Sequence, residues 1–361
     1  MSGTSSADLS RSSASVPPGA RSEAERSTTV ALDGRGAERG AKVLLEGAIL
    51  AMRDGITVRV FGEPSEMAPL GEAGAEVIPA PGVITNEDDP VAAVRSREDA
   101  SVVMAAADVA EGGSDALVSA GPTGATMAAA LFALRRLSGV RRPALAVQLV
   151  VPGREGPPTL LLDVGANSEA RSKDLVQSAV MGAAFSEAVL GVARPRVALL
   201  SVGEEAKKGT PEVVEAHAEL AELHGIDFVG NLEGRDLLTG KADVIATDGF
   251  TGNVALKTLE GTAKTVGAAV GSAARSNPIS ALGGLLLRPA LGGLRREMDP
   301  DTTGGAILLG VRGVAVVGHG SSGPEGIANA IRLAARAVSE RAVERTGELL
   351  ASAGATRAAL K

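Results

Sequence analysis

Three loops rich in glycine and short polar residues carry the side chains best suited to chemistry in this chain. They are residues 121–124 (GPTG), 163–167 (DVGAN) and 247–253 (TDGFTGN), and each lies between a short aliphatic run and a segment with helical spacing. Free backbone N–H groups at the start of a helix hold anions, and open α/β sheets bind ligands beyond the carboxyl ends of their strands. A glycine in one such loop is more often turn chemistry alone. Because three loops agree, the sequence predicts a site for phosphate or another oxyanion.

A further loop, residues 203–209 with the sequence GEEAKKG, places two lysines at another strand end. A lysine in such a loop is more often a solvated surface charge. One that is aimed into an anion pocket supplies a point charge for phosphate. Lys207 and Lys208 are therefore candidates for binding an anion.

The segment VAVVGHGSSG, residues 314–323, places His319, Ser321 and Ser322 in a glycine-rich loop after an apolar strand. A serine hydrolase is one interpretation of this loop. The G-x-S-x-G turn is missing, however, and neighbouring His and Ser residues in one loop rarely reach the geometry of a catalytic triad. We favour hydrogen-bonding or packing roles for these side chains.

The composition excludes several kinds of chemistry. The 361 residues include no Cys, Tyr or Trp, and only three His that are scattered along the chain. There is consequently no disulfide, thiol nucleophile or phenolic acid, and a metal site built from Cys or His is disfavoured. We expect neither a metal nor another cofactor. The formal net charge of -7 argues against nucleic acid as the main partner, since binding a phosphate backbone needs a concentrated basic surface.

The elements that must position these loops follow a repeating order of aliphatic run, turn and alanine-rich helical segment. The clearest strand and helix pairs cover residues 116–137, 159–190, 196–225 and 242–270. Strands that alternate with helices predict βαβ units and a mostly parallel sheet covered on both faces, that is, a three-layer αβα sandwich of the α/β class. Residues 326–352 have an amphipathic pattern that predicts one long helix, on the outside or at a dimer seam.

The two ends of the chain differ in character. Residues 1–27 are rich in Ser, Ala and Pro without an apolar period, so we predict a disordered tail there and a single αβα domain over residues 28–361. We find neither 18 consecutive apolar residues nor the apolar core of a signal peptide. We therefore expect a cytoplasmic protein.

Five motifs, in order along residues 29–340, resemble the bacterial acyl-ACP:phosphate acyltransferases of the PlsX type. They are LLLDVGAN, VGEEAKKG, FVGNLEGRDLL, TDGFTGNVALKTLEG and GHGSS. The resemblance implies transfer of a fatty acyl chain from the thioester of acyl carrier protein to inorganic phosphate, which gives acyl phosphate for phospholipid synthesis without a cofactor. It also implies an αβα fold similar to that of phosphate acetyltransferases and isocitrate or isopropylmalate dehydrogenases, in a homodimer.

The resemblance also assigns roles to residues at matching positions. Lys208 would bind phosphate, and Asn253 would orient phosphate or donate to the developing oxyanion, so these two are the predicted catalytic residues. Asp248, Asn167 and Thr247 would fix the loops. The predicted substrate-binding residues are Asp33, Gly121, Thr123, Gly124, Asp163, Asn167, Gly203, Glu205, Gly209, Thr247, Asp248, Phe250, Gly252, His319 and Ser321. The aromatic member of this set is expected to pack the loop or to contact the acyl chain.

A basic and apolar stretch covers residues 279–298, within a helical hairpin that we expect over residues 254–298. The hairpin has six basic and two acidic residues in a chain whose net charge is negative. Such a stretch suits contact with a membrane surface. A hairpin buried in a dimer interface would explain the apolar residues equally well. In the family that the sequence resembles, the matching hairpin touches the membrane, which favours peripheral attachment.

Three loops depart from the family's pattern. Glu38 and Arg39 stand where the family has Asp and His, Pro122 replaces an Asn, and Glu98 replaces the last Lys of a basic stretch. Two other functions therefore stay open beside an active phosphate acyltransferase. One is a non-catalytic relative that binds acyl carrier protein or the membrane as a scaffold. The other is a short-chain acyl-CoA:phosphate acyltransferase.

Overall fold

The computed structural model describes residues 27–297 and 299–360, and a single sheet of eleven strands runs through them. The strands pair in the order β3-β2-β1-β4-β11-β10-β5-β6-β9-β7-β8. Their bounds are β1 Thr29–Asp33, β2 Thr57–Gly62, β3 Glu76–Pro79, β4 Ala116–Ser119, β5 Ala144–Leu149, β6 Thr159–Leu162, β7 Arg196–Leu200, β8 Asp227–Leu232, β9 Val244–Ala246, β10 Ala306–Leu309 and β11 Val314–Val317. Several of the central strands are buried at every residue, as a sheet covered on both faces requires.

Helices cover the two faces of this sheet and give two apolar cores. Their bounds are α1 Ala41–Met52, α2 Pro64–Glu72, α3 Pro90–Ser96, α4 Ser101–Ala110, α5 Thr123–Leu134, α6 Ser172–Ala188, α7 Pro211–Glu222, α8 Gly249–Ala274, α9 Pro278–Glu297, α10 Pro324–Ser339 and α11 Ala342–Ser352. One core packs the sheet against α1, α2, α6, α7, α10 and α11, and the other packs it against α3, α4, α5 and α8. In β1, Val30 and Leu32 face the first core and Ala31 faces the second. The predicted αβα sandwich is confirmed.

The sheet is mostly parallel, as predicted, but it reverses direction at its centre. Strands β1, β2, β3, β4 and β11 form one parallel block, and β6, β7, β8 and β9 form a second. Between the blocks, β10 and β5 pair antiparallel to each other, β10 is antiparallel to β11, and β5 is antiparallel to β6. Three successive antiparallel pairings reverse the strand direction. The carboxyl ends of the two blocks therefore lie at opposite ends of the strand axis. These two ends are called the edges of the sheet below.

The start of β7 is joined to the start of β9 by an ion pair. The Asp243 carboxylate accepts hydrogen bonds from the Arg196 backbone N–H and from its guanidinium at Nε and Nη2, at 2.8–2.9 Å. Burial raises the pKa of Asp243, but the hydrogen bonds from Arg196 outweigh burial and the pKa is lowered overall. The pair fixes the register of two neighbouring strands of the second block.

The single helix predicted over residues 326–352 is wrong, because the structure contains two helices there. Helix α10 ends at Ser339, and Arg341 adopts left-handed backbone angles, with φ at 53°, before α11 begins. The break lets the chain turn, so that α10 packs on α1 while α11 packs on α6. The predicted tail, residues 1–27, lies outside the described residues except for Ser27, whose hydroxyl donates to the carbonyl of Gly55.

Candidate active site

The loop that follows β6 is built around the carboxylate of Asp163. This side chain is 3% exposed. It accepts backbone hydrogen bonds from Leu145, Gly165, Ala166 and Asn167, and a further one from the Asn167 side-chain amide, at 2.7–3.1 Å. Five donors leave the carboxylate saturated. Asp163 therefore holds the loop in shape, and its contact with substrate stays a prediction.

The first turn of α8 packs directly on that loop. The Gly249 N–H donates to the Asn167 carbonyl at 2.8 Å. A Cβ added at Gly249 would collide with the same carbonyl oxygen, and one added at Gly252 would collide with the carbonyl oxygen of Asp163. The glycines of the TDGFTGN motif are thus explained by close approach of two backbones.

Asp248 and Thr247 have the loop-fixing roles that the resemblance implies. The Asp248 carboxylate caps α8 by accepting the Thr251 N–H at 2.9 Å. Thr247 is buried and exchanges backbone hydrogen bonds with Leu162 and Asp163. Phe250 is 66% exposed, so its ring is not buried against the loop, and contact of this ring with the acyl chain stays a prediction.

The loop after β7 carries Lys208 and is held by strand β8. The Asn231 side-chain amide donates to the Glu205 carbonyl at 3.0 Å, and the Lys208 N–H donates to that carbonyl at 2.9 Å. The Asn231 carbonyl oxygen lies 2.9 Å from Nδ1 of His217, on α7. The Lys208 ammonium has no hydrogen-bond or ion-pair partner among the described residues. The backbone of Lys208 is thus held in place by hydrogen bonds, while its ammonium group is unpaired within the described part of the chain.

Two glycines shape the same loop. A Cβ at Gly203 would lie 2.9 Å from Oε2 of Glu205 and 3.0 Å from Cγ of Lys208. Gly209 has φ at +111°, and a Cβ there would lie 2.8 Å from Oγ of Ser201. The positive φ therefore favours glycine at position 209, whereas a Cβ at Gly203 would only displace the flexible side chains of Glu205 and Lys208. Contact of Gly203, Glu205 or Gly209 with substrate stays a prediction.

At the opposite edge of the sheet, Asp33 organises the loops after β1 and β4. Its buried carboxylate accepts hydrogen bonds from the hydroxyls of Ser101 and Ser119, at 2.5 and 2.7 Å. Oγ of Ser119 in turn accepts the Gly121 N–H and the Thr126 hydroxyl, each at 3.0 Å. Asp33 and Gly121 thus support the start of α5.

Helix α5 begins with Thr123, and its second residue, Gly124, packs against Pro90. A Cβ at Gly124 would lie 2.9 Å from Cγ of that proline. Pro122 occupies the N-cap of α5 with φ at -56°. Proline fits the start of a helix because its missing N–H would have no partner within the helix there.

The loop after β11 turns His319 towards α8. Nδ1 of His319 accepts the Ser321 backbone N–H at 3.2 Å and lies 2.8 Å from the Ser321 hydroxyl. Two of the residues that depart from the family's pattern stand beside this loop. Oε1 of Glu38 is close to Gly320, and Nη1 of Arg39 lies 3.4 Å from the Ser321 carbonyl.

The two arginines that precede Glu98, Arg95 and Arg97, both contact other side chains of the protein. The Arg97 guanidinium donates to both oxygens of Asp88 at 2.6 and 2.9 Å, and its hydrogen bonds lower the pKa of Asp88 to about 2. Arg95 lies over the ring of Phe132, 4.9 Å from its centroid. The guanidinium of Arg97 is thus engaged by Asp88, whereas the exposed Arg95 is stacked on an aromatic ring.

A cavity of about 210 Å³ joins the two edges across the face of β5 and β10. Its wall is mainly aliphatic, and the lining includes Leu145, Val147, Leu149, Val164, Leu238, Leu256, Leu259 and Val317. Polar side chains from the predicted set also line it, namely Thr123, Asn253 and His319. The structure thus brings together residues from three separate loops.

Asn253 lies where these parts meet. Its Cγ would be 3.9 Å from a Cβ at Gly165, which has φ at +133°, so Asn253 stands against the loop of Asp163. Within the described part of the chain, its amide has no hydrogen-bond partner. Lys208 and Phe250 do not line the cavity.

Two cavity residues, Lys257 and Glu260, are absent from the predicted set. They lie on α8 at four and seven residues after Asn253, so all three share one face of the helix. Nζ of Lys257 lies 2.9 Å from Oε2 of Glu260 and 3.5 Å from Nε2 of His319. The helical spacing within TDGFTGNVALKTLEG was the signal that would have found them.

Comparison with known proteins decides the family. The model of a family described as a fatty acid synthesis protein matches residues 28–345. The chain belongs to this family. Among its relatives, a phosphate acyltransferase of Heliobacterium modesticaldum is 43% identical over 319 residues, covering 86% of this chain and 94% of the relative. A phosphate acyltransferase of Anaeromyxobacter dehalogenans (strain 2CP-C) is 46% identical over 312 residues, covering 84% and 85%.

Solved structures agree with the fold of this fatty acid synthesis family member. A phosphotransacetylase from Streptococcus pyogenes superposes with a TM-score of 0.57 at 17% identity, covering 87% of this chain and 94% of that one. A 4-hydroxythreonine-4-phosphate dehydrogenase from Klebsiella pneumoniae gives a TM-score of 0.50 at 15% identity, covering 85% and 98%. The expected likeness to phosphotransacylases and to a dehydrogenase of the same architecture is confirmed at the level of fold.

Proposed function

We propose that this protein transfers a fatty acyl group from the thioester of acyl carrier protein to inorganic phosphate, giving acyl phosphate for phospholipid synthesis. The family and its phosphate acyltransferase relatives support an acyltransferase that uses phosphate as acceptor. The identity of the acyl donor as acyl carrier protein is the more specific part of the proposal.

The observation that carries the proposal is the cavity between α5 and α8. An aliphatic wall suits an acyl chain, which gains free energy by leaving water. Asn253 and His319 both line this cavity, where a reacting carbonyl or phosphate would need donors. A scaffold without activity would need no such combination.

The chemistry needs little from the protein beyond position and charge. A phosphate oxygen attacks the thioester carbonyl and forms a C–O bond, which gives a tetrahedral intermediate. The C–S bond of this intermediate then breaks, and the proton of hydrogen phosphate passes to the departing thiolate. Asn253 donates to the oxygen that becomes negative in the tetrahedral intermediate, and Lys208 supplies positive charge to phosphate. The reaction uses no thiol, phenol or metal of the protein, which agrees with the composition.

Incubation of the purified protein with acyl-ACP, phosphate and hydroxylamine tests the function. We expect acyl hydroxamate that depends on phosphate, because hydroxylamine traps acyl phosphate. Acyl-CoA in a parallel reaction tests the alternative donor, and faster turnover with short-chain acyl-CoA would replace carrier protein in the proposal. No hydroxamate from either donor, with binding of acyl-ACP retained, would establish the scaffold instead.

Lys208→Ala tests the predicted phosphate lysine, and Lys207→Ala is its matched control on the same exposed loop. We expect a higher KM for phosphate in the first variant and wild-type kinetics in the second. Full turnover of Lys208→Ala at low phosphate would remove the assignment.

We also propose peripheral contact with the membrane through α9, from the cytoplasmic side. None of the described helices is long and apolar enough to cross a bilayer. Ile279, Leu282, Leu285, Leu286 and Leu287 are nonetheless 58–84% exposed. Exposed apolar side chains grouped on a basic hairpin suit insertion into the headgroup region. A homodimer is part of the same proposal.

The double variant Leu285→Asn, Leu286→Asn tests this contact, with Val229→Asn, an exposed apolar position on β8, as control. We expect only the double variant to lose co-sedimentation with anionic vesicles. Analytical ultracentrifugation of the same proteins separates the alternatives. A dimer that no longer binds vesicles supports membrane contact, whereas conversion to a monomer would assign these leucines to the subunit interface.

A further inference from the structure

Two hydrogen-bond donors from different elements meet on the wall of the cavity. Lys257 comes from α8 and His319 from the loop after β11, and Nζ of one lies 3.5 Å from Nε2 of the other. An ammonium group has three donors and no lone pair, so it cannot accept a hydrogen bond from the ring. The chemistry at this point therefore depends on which nitrogen of the imidazole carries the proton.

The loop itself fixes the proton on Nε2 of the neutral ring. The Ser321 backbone N–H can only donate, and it lies 3.2 Å from Nδ1 of His319. Nδ1 is thus the acceptor, which leaves the proton on Nε2. The nearest carboxylate oxygen, Oε2 of Glu260, is 3.9 Å from Nε2, beyond hydrogen-bond distance. Within the described residues, the Nε2–H has no acceptor.

Two adjacent donors that lack a shared acceptor form a site for an oxyanion. We propose that Lys257 and His319 bind one oxygen of inorganic phosphate beside Asn253, as a phosphate subsite of the cavity. This inference rests on the proposed function and adds residues to it. One helical turn separates Lys257 from Asn253, so a phosphate held by the pair lies next to the amide that faces the reacting carbonyl.

Glu260 completes the subsite by holding Lys257 in place when phosphate is not bound. Its Oε2 lies 2.9 Å from Nζ of Lys257. Among the described residues that line the cavity, the only other acidic side chain is that of Asp299, and its carboxylate accepts the Asp301 N–H at 3.1 Å. Phosphate must compete with Glu260 for the ammonium group. Glu260→Gln is therefore expected to lower the KM for phosphate.

Steady-state kinetics of Lys257→Met and His319→Gln test the subsite, with Lys257→Arg as the conservative variant. Hydrogen bonds to a charged group are worth about 1.5–3 kcal/mol, which corresponds to roughly tenfold to hundredfold in affinity. We expect the KM for phosphate to rise by that factor in Lys257→Met, to recover in part in Lys257→Arg, and to leave the KM for the acyl donor unchanged. Lys42→Met, an exposed lysine on α1, is the control.

Thermal unfolding with and without phosphate gives a second readout that needs no turnover. A ligand that binds only the folded protein raises Tm. Phosphate should raise the Tm of the wild type and of Lys42→Met, but not that of Lys257→Met, while all three unfold together in phosphate-free buffer. If the wild type makes no acyl hydroxamate yet shows this pattern, the proposed function fails and the subsite stands.

Two results would overturn the subsite. An unchanged KM for phosphate together with an unchanged phosphate-induced rise in Tm in Lys257→Met would remove Lys257 from phosphate binding. A reduced kcat at saturating phosphate, with the KM for phosphate unchanged, would assign the pair to the carbonyl oxygen of the acyl donor instead.

Discussion

At the scale of single residues, Asn253 is the side chain on which the motif, the loop geometry and the cavity agree. It stands one residue beyond a glycine that touches the backbone of the neighbouring loop, so its own position is tightly fixed. Its amide is unpaired among the described residues and lines an apolar cavity. Asn253 is exposed in this structure, and its backbone position is fixed by the docking of α8. A donor on a fixed backbone position stabilises developing charge well once the bound substrate has displaced water, because it needs little reorganisation during the reaction.

Asn253→Ala should therefore impair the chemical step. Removing one donor to a developing oxyanion lowers kcat by about 10²–10³-fold. We expect that loss in the hydroxamate assay, with thermal unfolding close to that of the wild type. Thr258→Ala, an exposed position on the same helix, should keep wild-type kcat. A kcat within twofold of the wild type would exclude Asn253 from the reaction.

The TDGFTGN motif identifies Asn253 but does not extend to the residues that follow it on α8. Lys257 and Glu260 follow at helical spacing, so the same face of α8 could have been extended by one and two turns. The saturated state of Asp163 could not be anticipated, since its five donors come from backbone positions that only the folded loop brings together.

At the scale of elements, the attachment of α8 to the sheet rests on small residues. Of the residues in α8, Gly249 and Gly252 are buried, and both touch the backbone of the loop after β6. Gly261, two turns further on, has open space around it. A side chain at position 252 would therefore collide with the neighbouring loop, whereas one at position 261 would not.

Gly252→Ala and Gly261→Ala should change stability in opposite directions. The first places a methyl group against the Asp163 carbonyl and should cost about 1–3 kcal/mol in the free energy of unfolding. The second removes backbone freedom from the unfolded chain and should gain about 0.5–1 kcal/mol. Urea unfolding of the two variants measures both. Equal effects would contradict the close packing of α8 on the loop.

The ion pair of Arg196 with Asp243 predicts a dependence of stability on pH. The pKa of Asp243 is lowered in the folded protein because the hydrogen bonds from Arg196 outweigh its burial. Its stabilisation is thus fully present above about pH 4, the unfolded value, and is lost as the pH falls through the lower folded-state pKa.

Asp243→Asn should lower the free energy of unfolding by about 1–3 kcal/mol at pH 7, since Arg196 is partly exposed and its charge is partly screened. The difference from the wild type should shrink below pH 4. Urea midpoints measured from pH 7 to pH 3 test this, and a constant difference across that range would show that the charge of Asp243 is not what stabilises the pair.

Most helices and strands follow from the alternation of aliphatic runs, turns and helical spacing. The division between α10 and α11 does not, because arginine gives no local signal for the left-handed backbone that Arg341 adopts. Short apolar strands such as β5 and β10 carry no mark of their direction either. Pairing between distant segments decides the direction of these strands, and local sequence patterns do not contain that information.

At the scale of the whole molecule, the reversal of the sheet determines which predicted residues can meet. The resemblance gathers the polar loops into one site, whereas the antiparallel pairings of β5 and β10 send them to opposite edges. Thr123, Asn253 and His319 nevertheless line one cavity over the centre of the sheet, which α8 helps to form. A site of this kind depends on the folded sheet and not on any one motif.

The uneven distribution of charge over the molecule predicts salt-sensitive binding to lipid. The chain carries a net charge of -7, while the hairpin of α8 and α9 has an excess of basic residues. Anionic vesicles should therefore attract this hairpin and repel the rest of the surface. Raising the salt from about 0.1 M to 1 M shortens the Debye length from about 10 Å to 3 Å and should weaken co-sedimentation. Binding that is unaffected by salt would leave only the exposed leucines as its source.

Helix α8 lines the cavity with its first turns and forms one arm of the outer hairpin with the rest, so its two parts are under different evolutionary constraints. Substitutions in the first three turns of α8 change both the docking of the helix and the lining of the cavity. Beyond Lys264, the residues of α8 and α9 whose exposure the structure describes, namely 265–274, 278–289, 292 and 293, are all at least partly exposed, so replacements at these positions disturb no core. The chemistry at the base of the hairpin therefore does not limit how fast the sequence of the outer hairpin diverges. For the same reason, the outer hairpin could be replaced by design with another surface-binding segment.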